Sequence, residues 1–103
     1  MIWSIVCLDG PDAARLRAAH RAEHAAYLRD ADVGVMTCGP LTDDDGEPVG
    51  SLFVIEAEDR AAAERFSAAD PFAVTGMWSE VTIHGFEPSR NRYGRRAVRA
   101  GGD

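Results

Sequence analysis

Three segments of this chain are apolar on both of their alternating faces, and that pattern restricts the fold more than any other feature. Residues 2–8 (IWSIVCL) set Ile2, Val6 and Leu8 on one side and Trp3, Ile5 and Cys7 on the other. Residues 52–55 are Leu-Phe-Val-Ile, and the run from Met77 to Phe86 sets Trp78 and Phe86 opposite Met77, Val81 and Ile83. A strand with one face in water alternates apolar with polar residues. These strands instead predict a sheet buried on both faces. A chain of 103 residues buries only about two-thirds of its unfolded surface. It is one domain, and a second copy packed sheet against sheet is the economical cover for the remaining face.

The other elements follow from punctuation. Asp9-Gly10-Pro11-Asp12 supplies a turn and a helix start. Residues 12–30 are rich in Ala, Leu, Arg and Glu without Gly or Pro, which predicts a helix of about five turns. Residues 33–38 read as a second strand ending at Gly39-Pro40, followed by a long polar connection, PLTDDDGEPVG, and a third strand over 51–57. Asp59 caps a second helix, RAAAERFSAA, which stops before Asp70-Pro71 because the residue preceding proline avoids the helical region. A single-turn segment, DPFAVTG, leads to the fourth strand, 77–86. The order β-α-β-β-α-β predicts an α+β, ferredoxin-like fold: a four-stranded antiparallel sheet with two helices on one face.

Charge divides the chain. Residues 1–88 hold six Arg against sixteen Asp and Glu, whereas residues 89–103 hold five Arg against Asp103. The expected organisation is a domain over 1–88 and an Arg-rich tail over 89–103, draped or free, with a basic arm for RNA or anionic lipid as the sharper alternative. A formal net charge of -6 argues against duplex nucleic acid as a partner. No apolar run nears the roughly 18 residues that span a bilayer, and the start lacks a basic signal region. The expectation is a cytoplasmic protein without a membrane partner, its Cys7 and Cys38 two small buried thiols outside any metal-binding spacing.

Chemistry concentrates on the first helix. His20-Arg-Ala-Glu-His24 matches HxxEH, the inverted zinc-protease motif. No third ligand on a distant helix accompanies it, so solvent-edge histidines are the plainer reading and no metal is expected. Asp70, followed by Pro71, is an ordinary helix cap. Alternatively it points back to the first helix and orients an imidazole, holding its tautomer while the other nitrogen moves a proton. Asp43-Asp44-Asp45-Gly46 lacks the ligand alternation of a calcium loop and reads as a solvated hairpin. Ser51 stands where it can donate into a pocket at the end of the sheet.

Taken together, Arg21-Ala-Glu-His24 with Leu28 four residues on, Gly39-Pro40, Gly50-Ser51 opening a strand, Ala-Asp70-Pro71-Phe72, and a terminal strand ending Val81-x-Ile83-x-x-Phe86 resemble the YciI-like (YCII-related) domain. The resemblance covers residues 1 to about 88. Val33 stands where a glycine is often found, and the connection from His24 to Gly39 is slightly short. The resemblance implies a dimeric α+β barrel with the first-helix histidine, His24, and the DP aspartate, Asp70, facing one pocket. The leading functional expectation is a small cofactor-independent enzyme in which His24 is the general acid or base and Asp70 orients it. Arg21 or Ser51 would hold an anionic or phenolic oxygen of a small cyclic or enolic substrate, in lyase, isomerase or dehydrohalogenase chemistry. A second reading is a cofactor-free monooxygenase or lactone isomerase, with Phe72, Trp3 and Trp78 walling an aromatic substrate. A third is a non-catalytic homodimeric module that binds a metabolite or protein.

Overall fold

The computed structural model describes residues 1–90. Within them lie β1 (Ile2–Asp9), α1 (Ala13–Arg29), β2 (Gly34–Thr42), β3 (Pro48–Glu56), α2 (Arg60–Ala69), α3 (Pro71–Val74) and β4 (Trp78–Gly85). The four strands form one sheet in the order β2-β3-β1-β4, and every pairing is antiparallel. This is the ferredoxin-like α+β arrangement that the element order predicts. All but Ser89 and Arg90 of the expected tail lies outside the described residues. No described helix is long and apolar enough to cross a membrane.

The period of two decides which side chains the helices cover. Trp3, Ile5 and Cys7 of β1 share a face with Phe53 and Ile55 of β3, and with Ala57, Ala63 and Phe66 they form the main core. Ile5 pairs with Phe53 on one side and Ile83 on the other. Ile5 and Ile55 are fully buried, each burial stabilising the fold by about 1.5–3 kcal/mol. A second cluster of Ala13, Leu16, Phe72 and Met77 seats the first half of α1 on α3, and Trp78 packs against both clusters. The helix bends at His20, whose φ of -116° and ψ of 16° leave the helical region.

The opposite face of the sheet carries Ile2, Val6, Leu52 and Val54, all half-buried, and an exposed Leu8. The two central strands are thus apolar on both faces, as expected. On β4, however, Glu80, Thr82 and His84 pair with Leu8, Val6 and Ser4, so one edge of that face is polar. Trp78 also departs from its expected side. The register shifts between Leu8 and Asp9, so that Leu8 pairs with Glu80 but Asp9 with Trp78. Ser79 is the extra residue of this bulge, its hydroxyl donating to the Leu8 and Asp9 carbonyls at 3.2 Å. The bulge rotates Trp78 onto the helix-covered face, where its ring meets Phe72 edge-on.

The β2–β3 connection is shorter than its composition suggests. Both strands run past their expected ends, through Pro40 and from Pro48, leaving a tight turn in which Asp43 Oδ1 accepts from the amides of Asp45 and Glu47. Gly46, at a φ of 83°, occupies the left-handed region open to glycine. β2 is an edge strand, where a proline costs no ladder bond. Edge position also corrects the reading of Cys38: Cys7 is buried, but Cys38 is exposed.

Candidate functional site

Asp70 links two helices through its backbone. The proline at 71 disfavours helical geometry at Asp70, which takes φ -60° and ψ 132°. This extended residue ends α2 and aims its carboxylate at the start of α3, where Oδ1 accepts from the Phe72 amide at 2.9 Å. The same oxygen lies 2.9 Å from Nδ1 of His24. One atom of Asp70 thus caps the turn at Pro71 and meets the His24 ring. Its side chain is 3% exposed and that of His24 17%, so the pair is shielded from solvent screening. A carboxylate only accepts, so Nδ1 is the donor in this contact, and in the tautomer that carries its proton there Nε2 is the free acceptor.

Aromatic contacts fix the ring plane. Phe72 stacks on His24 with centroids 4.0 Å apart and planes 15° off parallel, and Phe53 meets it edge-on at 5.9 Å. Asp70 thus places the Phe72 turn through its cap while Phe72 holds the imidazole that Asp70 bonds.

His24 lines a cleft of about 300 Å³ between α1, α3 and the β2–β3 end of the sheet. Arg17, Arg21 and His24 reach it from one row of α1, at spacings of four and three residues. Ser51 and Phe53 come from β3, Cys38 and Pro40 from β2, and Phe72 from α3. Of the candidates singled out in sequence, Arg21, His24, Ser51 and Phe72 line this cleft; Asp70 stands behind the His24 ring, and Trp78 packs against the core. Among the aromatic wall residues expected for a ring substrate, Phe72 does line it, whereas Trp3 is a core residue whose Nε1 donates to the Ala57 carbonyl at 3.3 Å. His20 is drawn elsewhere: its Nδ1 is 2.9 Å from Glu23, so the two histidines engage different carboxylates.

Arg17 was not legible as a site residue. Its guanidinium forks onto Asp9 at 2.9 and 3.0 Å and reaches the Gly50 carbonyl at 3.4 Å. The signal available was its place on the row of Arg21 and His24. Gly50 is itself constrained, because a β-carbon there would overlap the Cys7 carbonyl oxygen; this close approach sets Ser51 at the cleft floor.

Electrostatics spread from Asp70 into the neighbouring thiols. Burial first, then the charges of Asp70 and Asp9, push the Cys7 thiol up to about 12. Cys38, exposed as a residue but lining the cleft, is raised by partial desolvation there and then by Asp70. The Tyr27 phenol is raised by burial, then by Asp70 and Asp32, and its hydroxyl donates to the Phe66 carbonyl at 2.8 Å.

A four-stranded antiparallel sheet with its helices on one face, and a histidine–aspartate pair at a cleft between them, defines a small α+β domain of ferredoxin-like topology. The chain belongs to the YCII-related domain family, whose model matches residues 1–87. It is 30% identical over 95 residues to an uncharacterized protein of Haemophilus influenzae, and to the same extent to protein YciI of Escherichia coli; each match covers 84% of this chain and 97% of the relative. Among solved structures it is similar to 5-chloro-2-hydroxyhydroquinone dehydrochlorinase (TftG) of Burkholderia phenoliruptrix, in complex with 2,5-dihydroxybenzoquinone. That likeness has a TM-score of 0.72 at 26% identity and covers 93% of this chain and 98% of the other. An antibiotic biosynthesis monooxygenase, at TM-score 0.51 and 18% identity over 85% of this chain and all of the other, shares the fold.

Proposed function

We propose that this protein is a small cofactor-independent enzyme in which His24 performs general acid–base chemistry on a small cyclic or enolic metabolite. The observation that carries the reading is the 2.9 Å contact between His24 Nδ1 and buried Asp70, with the ring lining a cleft. Nε2 takes a proton from the substrate, the imidazolium so formed is stabilised by Asp70, and the proton passes to another substrate atom or an oxygen leaving group, or to solvent where the leaving group departs as halide. Base-catalysed lyase, isomerase and dehydrohalogenase reactions share this proton abstraction. Positioned proton transfer contributes about 10²- to 10⁴-fold in rate. Arg21 and Ser51 are the proposed contacts to substrate oxygen, and Phe72 holds the ring. The similarity to a dehydrochlorinase supports elimination as one reaction of this type.

The functional domain in this reading is residues 1–88, working as a homodimer through the uncovered face of Ile2, Val6, Leu8, Leu52 and Val54. Two such faces stack at about 10 Å in a sheet-on-sheet packing. The test is turnover across a panel of halogenated and hydroxylated quinols, enols and lactones, with wild type beside His24→Ala and Asp70→Asn. Activity that falls at least a hundredfold in both variants supports the dyad. A turnover that both variants retain removes it.

A further inference from the structure

The bases of α1 are not treated alike. Arg15 pairs with Asp12, Arg17 with Asp9, His20 with Glu23, His24 with Asp70 and Arg29 with Asp30. Arg21 is the one base on this helix without a carboxylate partner among the described residues, and it lines the cleft. Acids outnumber arginines sixteen to six over residues 1–88, yet no Asp or Glu lines the cleft. The two carboxylates behind it, Asp9 and Asp70, are bonded to Arg17 and His24. On the facing wall Ser51 is only 7% exposed. Its hydroxyl makes no hydrogen bond among the described residues and opens onto the same cleft. Pro40, Pro48 and Phe53 supply apolar surface between these polar points.

We infer that the cleft takes its ligand as a small planar oxyanion, either a ring carboxylate or a ring enolate, with the charge read by Arg21 and an oxygen met by the Ser51 hydroxyl. A guanidinium without a competing carboxylate keeps its donors for a planar anion and offers them in the fork geometry such an anion fits. An acid-free pocket in an acidic domain also concentrates anions where a scattered surface charge would not. The inference rests on the acid–base reading only in taking this ligand for the substrate. Anion recognition stands whether or not His24 turns the ligand over.

Benzoate and the 2,5-dihydroxybenzoquinone anion are the probes, each with its neutral counterpart, benzamide and 2,5-dimethoxybenzoquinone. Calorimetric titration gives affinity, and shielding of Cys38 from iodoacetamide locates binding in this cleft, with buried Cys7 as the spectator thiol. At least one anion is expected to bind and shield Cys38, about tenfold more tightly than its neutral counterpart. Arg21→Gln abolishes the preference, Arg21→Lys restores part of it, and Ser51→Ala weakens binding severalfold. Binding of benzoate alone identifies a carboxylate, and of the quinone anion alone an enolate. Equal affinity for charged and neutral probes, an Arg21→Gln variant that still prefers the anion, or no shielding of Cys38 at millimolar anion overturns the inference. A His24→Ala variant that binds the anion normally but shows wild-type turnover sinks the acid–base reading and leaves this one intact.

Discussion

Asp70 holds His24 with the same carboxylate oxygen that caps the turn beginning at Pro71, both contacts being 2.9 Å long. Fold and proposed chemistry therefore share an atom, and substitutions at 70 separate them. Asn retains a capping oxygen, and Asn and Asp are nearly equal as caps. Asp70→Asn should unfold within about 1 kcal/mol of wild type, whereas Asp70→Ala, which leaves the Phe72 amide without its acceptor, should lose about 1–2 kcal/mol more. Urea denaturation of both variants measures the difference.

Phe72 has a double duty too, in the Leu16–Met77 cluster and on the His24 ring face. Phe72→Ala should cost about 3–5 kcal/mol. Phe72→Leu keeps most of the volume and should cost under about 1.5 kcal/mol, yet it releases the imidazole plane. Thermal melts of the Leu variant, beside its His24 side-chain resonances, should show a stable fold with a more mobile ring.

The Cys7 thiol gives a pH dependence whose sign follows from linkage. Its pKa rises on folding from 9.0 to about 12, so between those values the unfolded chain loses a proton that the native chain keeps. Stability is intact below pH 9 and falls as pH rises toward 12, by up to about 1.4 kcal/mol per pH unit. Cys7→Ala should flatten that alkaline slope in denaturant titrations at a series of pH values. Native-state alkylation separates the two thiols: exposed Cys38 should react while buried Cys7 is protected.

The uncovered sheet face predicts self-association. Val6→Glu or Leu52→Glu puts a charge at its apolar centre without touching the helix-covered core. Sedimentation should find a dimer for wild type and a folded monomer for either variant.

Much of this architecture is legible in the residues themselves. The apolar runs of β1 and β3, the Ala-rich first helix, and the Asp59 and Asp70-Pro71 punctuation of α2 stand in the structure where the sequence places them, because each depends on local chemistry. Pro40 and Pro48 mislead. Proline signals a break, but an edge strand and a strand's first residue tolerate it, so the β2–β3 hairpin is longer than its composition implies. Trp78 changes side because one inserted residue, Ser79, resets the period of two, and nothing in WSEV announces a bulge. Cys38 reads as core from its apolar neighbours, since single-strand patterning does not reveal that β2 is at the sheet edge. His24 and Asp70 are 46 residues apart in the chain. Each is individually suggestive, but their meeting depends on how α1 crosses the sheet. The Asp9–Arg17 pair is not legible because a structural ion pair has no motif; only the place of Arg17 on the row of Arg21 and His24 points to the cleft.

The dyad is tested most directly by the ¹⁵N chemical shifts of the His24 ring, followed through a pH titration to the neutral imidazole. Asp70 should hold the proton on Nδ1 and leave Nε2 bare, with a downfield Nδ1 proton that disappears in Asp70→Ala, which removes the accepting oxygen. A ring protonated at Nε2, or one whose tautomer ignores the Asp70 substitution, would contradict a histidine poised to take a proton from a ligand in the cleft.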